Sequence, residues 1–304
     1  MKNKNVSVAC CIPIGALDRY GYQYIWKEAL ANHSQAFDKV YLYTTTRANV
    51  DLNIEFDNVE FIIDDEVLLD IDENELETFS IYKIYNAYNL SVERAKNDGI
   101  DFVVCSAINS YLDDDNSLNM RIYLNKLKAN NQPFGYFAKA FQLYDKICYP
   151  NSLLPFIINV DFINDITLDV DVLEYNGTRY GWKGGFHDKF PFYFTDVFGI
   201  ETLADFECKF EWYIKSYMKE WQGENVSFNA DNEIKKFQTK VGKLAINHEY
   251  KHSEIIEKFS KKIVPEALVR TIPFNVQSKY LLIAKSYALN VLEYTGLIRF
   301  IGNK

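Results

Sequence analysis

Short apolar runs alternate with amphipathic stretches over the first 150 residues, and this alternation is the strongest constraint on the fold. Four runs have the composition of buried strands: Val6–Ile12, Lys39–Tyr43, Val59–Ile63 and Asp101–Cys105. Apolar residues recur at spacings of three and four between Tyr22 and Phe37, and again between Ser80 and Gly99, which predicts a helix in each stretch. The resulting β-α-β-β-α-β order predicts an α/β fold with a Rossmann-like, mainly parallel sheet flanked by helices.

The rest of the chain adds further elements to this sheet. A helix is expected over 117–128, and Phe134–Tyr144 is expected to return as a strand. Polar residues alternate with apolar ones from Ile166 to Val172, which predicts one half-buried antiparallel strand. A further helix is expected from about Ala204 to Trp221.

Charge is distributed unevenly and predicts two domains. Residues 48–82 contain 12 carboxylates and no Lys or Arg, whereas Lys235–Lys304 contains 13 basic and 5 acidic residues. The polar segment Gln222–Asn232 is the candidate linker. We therefore expect a domain of residues 1–222 and a basic, helical C-terminal subdomain of residues 223–304.

Composition excludes several classes of protein. No apolar run approaches the roughly 20 residues of a membrane helix. The five cysteines are odd in number and lack C-x-x-C spacing, which argues against a disulfide framework or a cysteine metal cluster. Pro13 interrupts the first apolar run and no cleavage site follows, so this run is interpreted as a strand and the protein as cytoplasmic. A net charge of −9 argues against general nucleic-acid binding, although the basic C-terminal residues could contact an anionic acceptor or the inner face of a membrane.

Polar residues follow the predicted strands, where α/β sheets bind ligands. The candidates for binding a nucleotide or phosphate at these ends are Asp18 and Arg19 after the first strand, Thr44, Thr45, Thr46 and Arg47 after the second, and Asp65 after the third. Helix caps and turns formed by hydroxyl side chains are the alternative for these residues.

Asp-x-Asp triplets are candidate sites for Mg²⁺ or Mn²⁺, because two carboxylates at i and i+2 on a strand share one face. They occur at Asp70–Asp72, Asp113–Asp115 and Asp169–Asp171. The alternative for Asp113 and Asp115 is the N-terminus of the following helix, where carboxylates are favoured. Solvated positions are the alternative for the other two triplets.

The segment from Trp182 to Asp196 concentrates glycines, aromatic rings and titratable groups. Its candidates for contacting a sugar or acceptor are Trp182, Lys183, Gly184, Gly185, His187, Asp188 and Tyr193. Asp196 is the candidate general base, because a carboxylate among aromatic rings is desolvated. An aromatic core patch, with Asp196 as a cap, is the alternative that the sequence leaves open.

Several of these segments resemble the GT-A fold glycosyltransferases of the family 2 type, over roughly residues 5–215. Val6–Gly15 is similar to the first strand of that family, which ends in an Ile-Pro pair, and so adds Pro13 to the donor-side candidates. Trp26–Tyr43 is similar to its next helix and strand. Asn89–Leu112 resembles the segment that leads into the metal-binding Asp-x-Asp, and Gly184–Asp196 resembles the acceptor-side Gly-Gly-Phe-Asp-Glu…Glu-Asp segment.

The resemblance implies specific roles and also shows departures. Asp196 takes the place of the catalytic base of inverting members, with Thr195 where the family has Glu. Thr44–Arg47 stands in place of the uridine-binding and ribose-binding Asp-Asp-Gly-Ser. Ala107–Asn109 stands in place of the metal-binding triplet, so that Asn109 is the donor-side residue there and Mg²⁺ or Mn²⁺ would need Asp113 and Asp115. Arg47 or Lys183 could otherwise supply positive charge at the diphosphate.

The resemblance implies an inverting glycosyltransferase that uses a nucleotide-diphosphate sugar and a glycan or lipid-linked acceptor, with or without a metal. On this interpretation, the protein acts in polysaccharide or glycoconjugate synthesis. Two alternatives stay open: a non-catalytic sugar- or nucleotide-binding protein on the same scaffold, and a glycosyltransferase that modifies nucleic-acid bases.

Overall fold

The structure is a computed structural model of the chain. It describes residues 6–15, 25–46, 56–70, 78–79, 81–143, 146–147, 150, 152–184, 190–197 and 284. The predicted helix at 204–221, the linker at 222–232 and the C-terminal subdomain lie outside these residues, except for Ala284, which is helical. In the described part of the chain, no helix is both long enough and apolar enough to cross a membrane.

The described elements alternate along the chain much as the sequence predicts. The strands, in chain order, are β1 (Val8–Pro13), β2 (Lys39–Thr44), β3 (Val59–Ile63), β4 (Leu69–Asp70), β5 (Thr78–Phe79), β6 (Phe102–Cys105), β7 (Ser110–Tyr111), β8 (Phe134–Leu143), β9 (Lys146–Ile147), β10 (Ser152–Asn159), β11 (Ile166–Asp169), β12 (Val172–Tyr175), β13 (Thr178–Gly181), β14 (Lys183–Gly184) and β15 (Tyr193–Val197). The helices are α1 (Trp26–Ala36), α2 (Asp65–Leu68), α3 (Ile81–Asn97) and α4 (Asp114–Ala129), and a 3-10 helix spans Val160–Asp165.

One large sheet organises the fold, with its strands in the order β3-β2-β1-β6-β10-β8-β15-β7. Strands β1, β2, β3 and β6 are mutually parallel, and β8 is parallel to β15. Because β6 and β8 are each antiparallel to β10, they point in the same direction. Six strands therefore end at one edge of the sheet, which we call the carboxyl edge, and the antiparallel strands β7 and β10 begin there.

Helices cover both faces of this sheet. On one face, the Ser91 hydroxyl of α3 donates a hydrogen bond to Cys11 Sγ of β1 at 2.7 Å. On the other face, the His33 ring of α1 stacks on Phe194 of β15, with 6.2 Å between ring centroids. Val8–Ile12 is fully buried between the two layers, as a central strand requires. The predicted α/β fold, with a mainly parallel Rossmann-like sheet flanked by helices, is confirmed.

The predicted single strand from Ile166 to Val172 is wrong. The chain instead forms a hairpin of β11 and β12, and Asp171 has a φ of 55° in the turn between them. Polar and apolar residues alternate along both arms of a hairpin, so the pattern alone cannot locate the turn. Asp169 consequently ends β11 while Asp171 lies in the turn, so the two do not lie side by side on the polar face of one strand.

Strand β10 is absent from the sequence prediction. Pro155 lies within it, and proline removes a ladder hydrogen bond, so such a run does not have the pattern of a central strand. The pairing with β8 shifts register between Leu154 and Ile157, and this irregularity accommodates the proline.

Candidate functional site

The carboxyl edge brings together donor-side candidates from the first three strands. Pro13 ends β1 and pairs with Tyr43, and Thr44 ends β2 and pairs with Ile63 of β3. The Thr45 hydroxyl donates to the carbonyl oxygen of Gly15 at 2.6 Å, which ties the loop after β2 to the loop after β1.

Asp65 joins the loop after β3 to the same region. It is the first residue of α2, and its two carboxylate oxygens accept hydrogen bonds from Thr46, at 2.8 Å from the backbone N–H and 2.5 Å from the hydroxyl. Asp65 therefore orients Thr46, which is exposed at the edge. The structure thus brings Pro13, Thr44, Thr45 and Asp65 together at the carboxyl edge.

Two buried hydroxyl groups at this edge have no hydrogen-bond partner among the described residues: Thr44 Oγ1 and Ser106 Oγ. Leaving a buried hydroxyl unpaired costs about 1–3 kcal/mol, so such groups point to a ligand or a bound water. Ser106 directly follows β6, and the sequence analysis missed it. Its position after a predicted strand is the signal that singled out Thr44, and it could have been found by the same reasoning.

Asp196 lies on β15 at the carboxyl edge with both carboxylate oxygens engaged. Its Oδ1 accepts a hydrogen bond from the Ser110 hydroxyl of β7 at 2.5 Å, and its Oδ2 lies 3.0 Å from Lys139 Nζ of β8. Asp196 is 7% exposed, and the Lys139 side chain is 17% exposed. The candidate base is therefore a nearly buried carboxylate, paired with a cation that retains some access to solvent.

Strand pairing explains why these three residues meet. Asp196 lies opposite Ser110 in the antiparallel β15–β7 pair, and Phe194 lies opposite Lys139 in the parallel β15–β8 pair. Residues two apart on a strand share a face, so Lys139 and Asp196 emerge on the α1 side of the sheet, where Phe194 packs on His33.

His33 lies beneath this group, fully buried in α1 and stacked against Phe37 and Phe194. Its Nδ1 lies 2.7 Å from the Ala29 carbonyl oxygen, whereas its buried Nε2 has no partner among the described residues. Burial lowers the pKa of His33 to about 4, and this outweighs the Ala29 hydrogen bond and the negative charge of Asp196, which both act to raise it. The imidazole is therefore neutral near pH 7.

A tight turn connects β6 to the Asp196 group. The N–H of Ser110 donates to the Ala107 carbonyl oxygen at 3.0 Å and closes a turn that contains Ile108 and Asn109. Ile108 is buried and Asn109 is half-buried. By the resemblance drawn from the sequence, this segment corresponds to the metal-binding triplet of family 2 glycosyltransferases, and it contains no carboxylate.

The alternative metal candidates, Asp113 and Asp115, lie at the N-terminus of α4. Asp113 caps α4: its Oδ1 accepts from the Asn116 backbone N–H at 2.7 Å, and both of its oxygens accept from Asn116 Nδ2 at 3.0 Å. Asp115 lies exposed in the first turn of the same helix. The described residues contain no group of three or more His, Cys, Asp or Glu side chains that could hold a metal ion. The cap at Asp113 agrees with the helix-terminus interpretation of this triplet.

The aromatic segment divides between core and surface. Phe192 and Phe194 are buried and belong to the core, so the core interpretation applies to these two rings. Trp182 is 50% exposed, and the half-buried Tyr193 donates its N–H to Asn116 Oδ1 at 2.9 Å.

Lys183 and Gly184 form β14, next to β10. Lys183 pairs with Leu153, and its Nζ lies 5.8 Å from the centre of the Tyr136 ring. Leu153 pairs in turn with Ala138, which precedes Lys139 and faces the other way. Lys183 is therefore on the opposite face of the sheet from Asp196. Six further candidates lie outside the described residues: Asp18, Arg19, Arg47, Gly185, His187 and Asp188.

Sequence reasoning missed both partners of Asp196. Lys139 is a cation within the apolar strand Phe134–Leu143, and a lone charge in such a strand indicates a buried partner. Ser110 has no comparable signal, because only the pairing of β7 with β15 brings it to Asp196.

The fold defines an α/β protein with a Rossmann-like, mostly parallel sheet, consistent with the GT-A fold. No family model and no curated protein sequence matches the chain. Among solved structures, the chain is similar to S. aureus TarS at 10% identity and a TM-score of 0.35, covering 77% of this chain and 42% of that one. A second structure, of residues 1–349 of the same protein, gives 10% identity and a TM-score of 0.36, with 78% of this chain and 79% of that one covered. The chain thus spans less than half of the longer TarS structure.

Proposed function

We propose that the protein is a glycosyltransferase that transfers a sugar from a nucleotide-diphosphate donor to an acceptor hydroxyl, with inversion at the anomeric carbon. The observation that carries this proposal is the hydrogen bond from Ser110 to Asp196. By the sequence resemblance, the turn at 107–109 corresponds to the donor side of family 2 glycosyltransferases, and Asp196 corresponds to their acceptor-side base. The hydrogen bond from Ser110 joins these two parts of the proposed site.

The proposed chemistry uses Asp196 as general base. Its carboxylate accepts the proton of the acceptor hydroxyl while the acceptor oxygen bonds to the anomeric carbon. The bond from that carbon to the donor phosphate breaks, and the nucleoside diphosphate leaves with the electron pair. A positioned base of this kind contributes about 10²–10⁴-fold to a rate.

The carboxyl ends of β1, β2, β3 and β6 are the proposed donor side. The exposed Thr46, held in place by Asp65, is a proposed contact of the nucleotide or its sugar, and the buried hydroxyls of Thr44 and Ser106 lie at the same strand ends. Trp182 and Tyr193 are proposed contacts of the acceptor. The excess of basic residues in Lys235–Lys304 suits a glycan or lipid-linked acceptor at the inner face of a membrane.

Release of nucleoside diphosphate tests this function. The chain is incubated with a panel of nucleotide sugars and candidate acceptors, and free diphosphate is measured over time. We expect release with at least one donor, falling about 10²-fold or more in Asp196→Asn. Asp161→Asn is the matched control, because Asp161 is also paired with a lysine, at 2.6 Å, but on the exposed surface. Equal rates in Asp196→Asn and Asp161→Asn would exclude Asp196 as the base.

A non-catalytic sugar- or nucleotide-binding protein is the second candidate. It is favoured by the engagement of both Asp196 oxygens and by the absence of carboxylates in the turn from Ala107 to Asn109. Saturable thermal stabilisation by a nucleotide or a sugar, without diphosphate release from any donor in the panel, would favour this candidate over the enzyme.

A further inference from the structure

The ammonium group of Lys139 is the described cation that contacts the candidate base. Its Nζ lies 3.0 Å from Asp196 Oδ2, and Asp196 Oδ1 accepts from Ser110, which directly follows the carboxylate-free turn. The hydrogen bonds from Lys139 and from Ser110 to Asp196 therefore connect Lys139 to the turn at 107–109. By the sequence resemblance, this turn corresponds to the metal-binding triplet of family 2 glycosyltransferases.

This pair has an asymmetry that suits ligand binding. An ammonium group has three N–H donors, and among the described residues Asp196 is the acceptor that Lys139 contacts. The Lys139 side chain is more exposed than that of Asp196, at 17% against 10%. Lys139 therefore has donors beyond the one that Asp196 accepts, on a side chain that keeps some exposure, whereas both Asp196 oxygens are occupied.

We propose that Lys139 is a phosphate-binding residue, and that it contacts the diphosphate of the nucleotide donor and stabilises the charge of the leaving group in place of a divalent metal. This inference rests on the proposed function. A diphosphate needs compensating positive charge, and a fixed ammonium in a largely desolvated site supplies more stabilisation than the same charge in water.

The charges of the proposed step are consistent with this role. When Asp196 accepts the acceptor proton, its carboxylate becomes neutral and Lys139 loses its counter-ion. The leaving diphosphate gains negative charge in the same step. The positive charge of Lys139 is thus released from one anion as another forms.

Binding measurements on two opposite substitutions test the inference. Affinities for nucleoside diphosphates and for the corresponding nucleosides are measured by calorimetry without added metal. We expect Lys139→Met to weaken diphosphate binding by on the order of tenfold or more, to leave nucleoside binding unchanged, and Lys139→Arg to restore most of the loss. Asp196→Asn keeps the ammonium and should bind diphosphate at least as tightly as the unsubstituted chain while losing turnover.

The controls separate a phosphate contact from a structural ion pair. Lys128→Met removes a lysine paired with Asp101 and Asp161 near the start of β6, at the other edge of the sheet, and should bind diphosphate normally. Because Lys139→Met leaves a buried carboxylate unpaired, the double variant Lys139→Met/Asp196→Asn serves as a folded reference and should show the same loss of diphosphate affinity.

Two results would overturn the inference: equal loss of nucleoside and diphosphate affinity in Lys139→Met, or full diphosphate affinity in the double variant. Turnover by the unsubstituted chain with either result would leave the glycosyltransferase proposal standing. Absence of turnover together with diphosphate binding that depends on Lys139 would remove the enzymatic proposal and retain the phosphate contact.

Discussion

Ser110 and Asp196 lie opposite each other in the β7–β15 pair, and the Ser110 hydroxyl donates to Asp196 Oδ1 at 2.5 Å. Although 86 positions separate the two residues in the sequence, the hydrogen bond is buried. It fixes one oxygen of the carboxylate while Lys139 holds the other. The orientation of the candidate base is thus set by two strands that flank its own.

Removing the Ser110 hydroxyl should impair turnover more than donor binding. In Ser110→Ala, Asp196 Oδ1 loses its donor and the carboxylate is free to rotate, so we expect kcat to fall about tenfold, with a smaller change in KM. We also expect a stability loss of about 1–3 kcal/mol from the unpaired buried acceptor.

Ser34→Ala is the matched control for this prediction. The Ser34 hydroxyl donates to Asn58 Oδ1 at 2.6 Å, in a partly buried contact away from Asp196. It should show a comparable or smaller loss of stability and an unchanged kcat. If both variants lose kcat in proportion to their stability, then Ser110 does not orient the base.

Asn32 anchors β7 to α1, and its loss should destabilise the fold. Asn32 Nδ2 donates to the Leu112 carbonyl oxygen at 2.8 Å, and Asn32 Oδ1 accepts from the Leu112 N–H at 3.0 Å, so one side chain pairs both backbone groups of Leu112. Asn32→Leu would leave both groups buried without a partner, and we expect a loss of about 2–5 kcal/mol in denaturant unfolding. Asn125→Ala removes one partly buried bond to a helix carbonyl and should cost far less.

The pH dependence of stability should carry a contribution from His33. Burial depresses the pKa of His33 to about 4 in the folded chain, against an ordinary value of 6.5. The unfolded chain therefore binds more protons between these two values, and folding stability is lost as pH falls from 6.5 towards 4. The contribution at full shift is about 3 kcal/mol.

Comparison with His33→Phe isolates this contribution, because a phenyl ring preserves stacking on Phe37 and Phe194 and cannot titrate. Unfolding free energies of the two chains are measured by denaturant at several pH values between 4 and 7. The unsubstituted chain should lose stability relative to the variant as pH falls. A difference that stays constant across this range would contradict the depressed pKa.

Asp113 should act as a helix cap. Asp113→Ala removes the acceptor of the Asn116 N–H and should cost about 1 kcal/mol, whereas Asp113→Asn, which keeps a capping oxygen, should cost much less. The affinity for a nucleoside diphosphate with Mn²⁺ present should be the same in both variants. Loss of a Mn²⁺-dependent part of that affinity in Asp113→Asn would return the residue to the metal candidates.

The α/β class, and the position of polar residues at one edge of the sheet, were predictable from local patterns. Buried strands such as Val8–Pro13 have continuous apolar composition, and helices such as α3 have apolar residues at spacings of three and four. Polar residues after those strands, including Thr44 and Asp65, could be assigned to one edge because parallel strands end together. Each of these inferences needs only a dozen neighbouring residues.

The proline in β10, the turn at Asp171 and the surroundings of Asp196 depend on the tertiary structure. Periodicity reports the burial of a residue but not its partner, so the sequence shows Lys139 as a lone charge in an apolar strand and Ser110 as an ordinary hydroxyl. Pairing of β15 between β8 and β7 places both beside one carboxylate. Local patterns in the sequence were enough to predict the class of fold and to propose one edge of the sheet for ligand binding. The side chains that hold Asp196 depend on the pairing of strands that are distant in the chain. Hydrogen-bond partners across a sheet are set by the register between such strands, and local sequence patterns do not contain this register.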